Sequence, residues 1–171
     1  MSAYEDRAEA AKLPEGDLVA VLLVQHARMK DLMEQITEAA GHERSLLFEH
    51  LATTITAHET AEESVVRPVT KETAGAAVAD ARIAEESAAD ELIATLLDLD
   101  VDSADFDRQF AAFKQAVTQH AEAEETEEFP TILSGRSDDE RRVLGVQFLV
   151  AFGAAGGSAS GAFADREVPA I

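Results

Sequence analysis

A short pattern of one histidine, two glutamates and one proline occurs twice in the chain. Residues 58–68 read HETAEESVVRP and residues 120–130 read HAEAEETEEFP, and both fit His-x-x-x-Glu-Glu-x-x-x-x-Pro. On an α-helix, side chains four residues apart lie on one face, with about 5–6 Å between their Cβ atoms. Each copy therefore presents an imidazole beside a carboxylate, which is how helical bundles hold metal ions in their interiors. We predict that the proline then stops the helix, because it lacks an N–H and clashes with the preceding turn.

The composition favours an all-α protein whose metal ligands are nitrogen and oxygen atoms. The 171-residue chain is 46% hydrophobic, and its apolar residues recur at helical rather than alternating spacing. It contains no cysteine, which excludes thiolate zinc sites, iron–sulfur clusters and disulfides. The net charge of −20 argues against nucleic acid and against a membrane surface as partners. The first residues do not resemble a signal peptide, so we expect a cytoplasmic protein.

Helical periodicity predicts four long helices that are joined by short links. We predict that residues 17–133 form an antiparallel up-down four-helix bundle. The predicted helices cover residues 18–40, 43–67, 76–97 and 104–128. Residues 1–16 are expected to form a polar N-terminal arm. Residues 134–171 are expected to hold a short fifth helix, which looks like an appendage, and a flexible tail rich in Gly, Ala and Ser.

The duplication also predicts which residues on the other two long helices contribute to the site. His26 lies on the first helix, 32 residues before His58, so a counterpart is expected on the third helix near position 88. No histidine occurs there. Glu86 lies 60 residues after His26, and we interpret it as the substitute, with Glu85 and Asp90 as alternatives. The predicted metal ligands are His26, His58, Glu62, Glu86, His120 and Glu124.

The size of this ligand set indicates a two-metal centre with an open position. Six ligands exceed the needs of one four-coordinate zinc ion. They suffice for two six-coordinate ions if carboxylates bridge the ions and water or an oxo group completes them. Glu62 and Glu124, one from each copy of the pattern, are the natural bridges. The nearby polar residues expected to be solvated, or to support the ligands from outside, are Glu63, Glu125, Glu127, Glu128, His42 and His50.

The order of these motifs resembles that of the hemerythrin-like family, whose members carry the HHE cation-binding domain. A lone histidine, a His-x-x-x-Glu pair, a further lone ligand and a second His-x-x-x-Glu pair follow one another over residues 17–133. The resemblance, which extends to actinobacterial members in particular, implies a four-helix bundle with a non-haem di-iron centre. Two iron ions, bridged by carboxylates and by an oxo or hydroxo group, would be the cofactor. The iron ligands that carry over by position are His26, His58, Glu62, His120 and Glu124.

Glu86 departs from the family pattern, which usually has histidine at this place. Oxygen-carrying hemerythrins use five histidines, whereas this chain offers three in register. Because an anionic oxygen ligand stabilises ferric iron, redox chemistry is favoured over reversible O₂ carriage. The expected function is catalase- or peroxidase-like chemistry on H₂O₂, or chemistry on nitric oxide; the alternatives are an O₂ or NO carrier or sensor and an iron store. The partners would be these small molecules, and the protein is expected to be a monomer or a weak homodimer.

Overall fold

The computed structural model describes residues 1–158, and all regular secondary structure in this part of the chain is helical. The all-α class predicted from the sequence is thereby confirmed. The α-helices are α1 (Ala3–Ala10), α2 (Leu18–Glu38), α3 (Gly41–Ala61), α4 (Arg67–Thr73), α5 (Ala76–Leu97), α6 (Ala104–Ala123), α7 (Phe129–Gly135) and α8 (Asp138–Ala154). Two π-helical segments are π1 (Glu62–Val66) and π2 (Glu124–Glu128). Most of the predicted tail, from residue 159 onward, lies outside the described residues.

The four long helices α2, α3, α5 and α6 surround two clusters of buried apolar side chains. Helix α2 packs against α3 and α5 against α6, and further contacts join α3 to α5 and α2 to α6. The first cluster combines the C-terminal halves of α2 and α5 with the N-terminal and middle parts of α3 and α6. The second cluster combines the start of α2, the end of α3, and α7 and α8. His26 lies between the clusters, after Leu23 and before Met29 on α2.

Both copies of the duplicated pattern end in a π-helical turn. The backbone N–H of Arg67 donates to the carbonyl oxygen of Glu62, which is a hydrogen bond over five residues, and the corresponding bond closes π2. Pro68 and Pro130 then lie in the first turns of α4 and α7. A missing N–H needs no partner there. The prediction that each proline stops the helix was therefore wrong, because the wider π turn lets the helical path continue past it.

The segments that flank the four long helices pack against them. The predicted N-terminal arm contains α1, which lies on α2 and buries Asp6. Helix α8 packs against α2, α3 and π1, and its Phe148 is fully buried. The carbonyl oxygen of Gly16 approaches Gly145 of α8 so closely that a side chain there would collide with it. Helix α8 is therefore part of the core, where an appendage was expected. Among the described helices, none combines the length and apolar character that a membrane crossing requires.

Candidate metal centre

The six side chains predicted to bind metal lie together in the protein interior. They project from α2, α3, α5 and α6 and from the first residues of π1 and π2. Two overlapping groups result, and within each group the candidate ligand atoms lie within 4.8 Å of one another. The first group is His26, His58, Glu62 and Glu124, and the second is Glu62, Glu86, His120 and Glu124. Glu62 and Glu124, the two predicted bridges, are the members common to both groups.

Five buried atoms of this cluster have no hydrogen-bond partner within residues 1–158. They are Nε2 of His58 and of His120, Oε1 of Glu62, and Oε2 of Glu86 and of Glu124. All of these except Oε2 of Glu86 lie in imidazole–carboxylate contacts of 3.2–3.3 Å that lack hydrogen-bond geometry. Buried polar atoms without partners are costly and call for an explanation. Bound cations, one in each group, would satisfy all five, and imidazole nitrogens with carboxylate oxygens are a ligand set that iron accepts. The residues therefore fit a metal site that is built from nitrogen and oxygen atoms.

The second ring nitrogen of each candidate imidazole is held by a neighbouring side chain. The pairs are His26 Nδ1 with Glu125 Oε1 at 3.0 Å, His58 Nδ1 with Gln25 Oε1 at 2.7 Å, and His120 Nδ1 with Glu85 Oε2 at 2.9 Å. Because each Nδ1–H donates to an oxygen, Nε2 is the ring nitrogen that faces the carboxylate cluster, where it can bind a metal ion once it is deprotonated. Partners of this kind orient metal-binding imidazoles and strengthen them as ligands. The sequence pattern does not reveal Gln25 in this role.

The structure places Glu86 in the cluster and its two alternatives outside it. Glu86 is 3% exposed, whereas Asp90 lies at the surface. Glu85 is half-buried and accepts the hydrogen bond from His120. Its carboxylate thus supports an imidazole of the cluster from outside.

The other acidic residues of the duplicated pattern are either exposed to solvent or buried beside the cluster. Glu63 and Glu127 are exposed, as expected of solvated carboxylates. The side chain of Glu125 is 1% exposed and accepts hydrogen bonds from His26 and, at 3.1 Å, from Lys30. Glu128 is fully buried, so its predicted solvation was wrong.

Arg67 is a buried cation inside the carboxylate cluster, and the duplicated pattern does not indicate it. Its Nε donates to Glu86 Oε1 at 2.9 Å, and its Nη2 donates to Glu62 Oε2 at 3.1 Å and also to Glu86 and Glu124. Its Nη1 donates to both carboxylate oxygens of Glu128, at 2.8 Å each.

The π turn explains why Arg67 points inward. Arg67 follows His58 by nine residues, and in a regular helix that separation is about two and a half turns, which places the two side chains on opposite faces. The wider turn of π1 shifts this register and brings the guanidinium to the face of the ligands. In the sequence, the only sign of a special role for this position is that an arginine precedes the proline in one copy of the pattern and a phenylalanine in the other.

A small cavity lies beside the three imidazoles. It is lined by His26, Met29, Ile55, His58, Glu59, Ala89, Val117 and His120. Its free space of about 20 Å³ for the centre of a water-sized molecule is enough for roughly one such molecule. Burial, and then the charge of Asp90, raise the pKa of Glu59 to about 9. The cavity therefore contains a carboxyl group that is protonated at neutral pH.

The cluster also alters the protonation of its own members. Burial by itself lowers the pKa of His26, but its contacts with the carboxylates of Glu124 and Glu125 outweigh burial and raise the pKa to about 9. In His120 burial is likewise outweighed, chiefly by Glu124, and the pKa rises to about 10. Burial raises the pKa of Glu86 to about 7, although Arg67 opposes this. Both imidazoles thus carry a proton at neutral pH that a metal ion must displace.

A helical fold with two overlapping buried groups of imidazoles and carboxylates defines a class of helical cation-binding proteins. The family model described as the hemerythrin HHE cation-binding domain matches residues 17–132, well over half of the chain. The chain belongs to this family, and the resemblance inferred from the duplicated motifs is confirmed. Comparisons with curated proteins and with solved structures gave no match.

Proposed function

We propose that the protein is a non-haem di-iron protein, folded as an antiparallel up-down four-helix bundle. The observation that carries this proposal is a cluster of five buried nitrogen and oxygen atoms that make no hydrogen bond within residues 1–158 and could bind metal. The site also contains three imidazoles whose Nδ1 atoms already make hydrogen bonds to neighbouring side chains. Each of the two groups of candidate ligands would hold one ion, and Glu62 and Glu124 would be shared between the ions. Membership of a cation-binding family supports the same conclusion.

We further infer that the centre performs catalase- or peroxidase-like chemistry on hydrogen peroxide, or redox chemistry on nitric oxide. Bound iron would supply the changes in oxidation state. The cavity beside the imidazoles has room for a molecule of about this size. Oε2 of Glu59 has no hydrogen-bond partner among the described residues and can bind such a molecule, and Met29 and Ile55 give the cavity apolar walls. Three carboxylates among six ligands favour ferric iron, and hence reaction over reversible O₂ carriage.

Iron loading followed by exposure to peroxide tests this function. Protein loaded with Fe²⁺ under anaerobic conditions is expected to retain two iron ions per chain and to consume H₂O₂ rapidly. Glu86→Ala should lower both quantities, whereas Asp90→Ala, at an exposed position of the same helix, should preserve both. A coloured O₂ adduct that reverses under vacuum would indicate a carrier, and retained iron without reaction would indicate a store. Absence of any bound transition metal would contradict the metal centre itself.

A further inference from the structure

The two halves of the candidate centre are related position by position. Gln25 precedes His26 on α2, and it accepts a hydrogen bond at 2.7 Å from the imidazole of the first copy of the pattern. Glu85 precedes Glu86 on α5, and it accepts the corresponding hydrogen bond at 2.9 Å from the imidazole of the second copy. The pair on α5 therefore occupies the place of the pair on α2, and Glu86 stands where the other half has His26.

The residue before each proline of the pattern also differs between the halves: it is aromatic beside His26 and cationic beside Glu86. Phe129 stacks on His26, with ring centroids 5.7 Å apart and an angle of 25° between the ring planes. The corresponding residue in the first copy is Arg67, whose Nε and Nη2 both donate to Oε1 of Glu86. An aromatic ring thus contacts an imidazole in one half, and a guanidinium contacts a carboxylate in the other.

A third position follows the same division. Glu128 precedes Phe129 and is fully buried, with both oxygens bound to Nη1 of Arg67. The corresponding residue of the first copy is Val66, which is also fully buried. We call Glu86, Arg67 and Glu128 the charged triad. Its positional counterpart, which we call the counterpart triad, consists of His26, Phe129 and Val66.

A fourth position shows what the exchange of histidine for glutamate removes. Glu125 holds Nδ1 of His26 at 3.0 Å and is buried. Glu63 occupies the same place in the first copy and is exposed. A histidine at position 86 would offer an N–H to Glu63, whereas a carboxylate has none to donate.

We propose that Arg67 is a positioning residue that allows Glu86 to serve as a ligand, and that the charged triad is one matched unit that stands in place of the counterpart triad. This inference rests on the proposed metal centre. Arg67 binds Oε1 of Glu86 and leaves Oε2 without a hydrogen-bond partner among the described residues, free to bind a metal ion. Its charge also compensates a buried carboxylate, which an apolar neighbour cannot do. Glu128 in turn fixes the guanidinium through both oxygens.

Exchange of one triad for the other tests the inference. The proteins compared are the wild type, Arg67→Phe, Glu86→His, and the triple variant Glu86→His/Arg67→Phe/Glu128→Val. In metal-free protein, each single change should lower the melting temperature by roughly 6–20 °C, because it breaks a buried ion pair. Each should also weaken iron binding by about 10–100-fold. The triple variant should recover most of both losses, because Glu86 and Glu128, which each accept two hydrogen bonds from Arg67, are replaced together with it.

A triple variant that is no better than Arg67→Phe, or that does not fold, overturns the inference. So does an Arg67→Phe variant with wild-type stability and iron affinity. If Arg67→Phe cannot be purified folded, Glu86→His and the triple variant still provide the comparison. If the wild type binds no iron, the proposed function fails, but the melting temperatures of the metal-free proteins still decide whether the triad acts as a unit.

Two controls separate positioning from general stability. Arg44→Met also removes a buried guanidinium, one that is bonded to Asp107 at 2.6 Å, at the N-terminal end of α3 away from the cluster. It should lower the melting temperature without changing the iron content of the folded protein. Glu63→Ala should leave iron binding unchanged in the wild type and weaken it in the triple variant, where the histidine introduced at position 86 would need an acceptor. An equal effect of Glu63→Ala in both backgrounds overturns the positional relation.

Discussion

At the scale of single residues, the candidate centre depends on the side chain that accepts a hydrogen bond from Nδ1 of each imidazole. Glu125 is the most heavily used of these supports. It accepts a hydrogen bond from His26 at 3.0 Å, one from Lys30 at 3.1 Å and one from the N-terminal amine of Met1 at 3.3 Å. Lys30 also donates to the buried Asp6 of α1. The N-terminal helix is thereby connected to an imidazole of the cluster through one carboxylate.

We predict that Glu125→Ala weakens metal binding by about 10-fold or more, because His26 loses the acceptor that orients its ring. Glu63→Ala provides a matched control, since it removes the carboxylate at the same place in the other copy of the pattern, where the side chain is exposed. The measurement is a titration of each variant with Fe²⁺ against a competing chelator. Equal affinities for the two variants would contradict the supporting role of Glu125.

At the scale of secondary-structure elements, helix α8 closes the side of the centre next to His58. The ring of Phe148 meets the imidazole of His58 edge to face, with centroids 5.7 Å apart. Arg141 anchors the start of α8 through its ion pair with Asp17, the N-cap of α2. The close approach of Gly145 to Gly16 seats the helix against the same turn. These contacts make α8 a structural part of the site.

We predict that Phe148→Ala destabilises the protein by about 3–5 kcal/mol, because it opens a cavity in the core. Metal binding should weaken as well, since the His58 ring loses its lateral support. Val146→Ala is the control on the same helix: Val146 is 61% exposed, and its loss should change the stability by less than about 0.5 kcal/mol. Thermal unfolding and metal titration of both variants provide the measurement. Similar losses of stability and of metal affinity in the two variants would show that α8 is sensitive to any substitution and that Phe148 has no specific role at the site.

At the scale of the whole molecule, the buried charges make the stability of metal-free protein depend on pH. The folded protein raises the pKa of His26 from 6.5 to about 9 and that of His120 to about 10. It raises the pKa of Glu86 from 4.5 to about 7. A group with a raised pKa stabilises the fold below its ordinary pKa and loses that contribution as the pH rises to its folded value. The lowered pKa values of Glu124 and Glu125 act oppositely, and their contribution is lost in acid.

We predict that the melting temperature of metal-free protein falls as the pH rises from 5 to 9, and that iron loading raises it. The increase upon loading should be larger at pH 8 than at pH 6, because metal ions displace protons from His26 and His120 and bind more tightly when those protons are scarce. Melting curves of metal-free and iron-loaded protein over this pH range test both statements. A pH-independent melting temperature of the metal-free protein would contradict the first, and an unchanged value upon verified loading would contradict the second.

The order of residues along the chain was sufficient to indicate the helical class and the family, and to predict the six side chains that meet in the interior, with Glu85 and Asp90 left open as alternatives to Glu86. It was sufficient because the relation between His58 and Glu62 is local: side chains four residues apart on a helix must lie together, whatever surrounds them. Duplication of the same spacing then directed attention to Glu86 on the third long helix. These inferences needed only helical geometry and the positions of the motifs.

The roles of Arg67, Glu128 and Phe148, in contrast, became visible only in the folded molecule. Arg67 and Glu128 reach the cluster because two turns adopt π geometry, and apolar periodicity does not encode that choice between hydrogen-bond registers. Phe148 meets His58 because α8 folds back over a distant part of the chain. Burial of a charged residue depends on which partners arrive from other elements, and separate segments of the chain supply the contacts of Arg67. Spacing along the chain therefore identified the candidate ligands, whereas long-range packing determined what surrounds them.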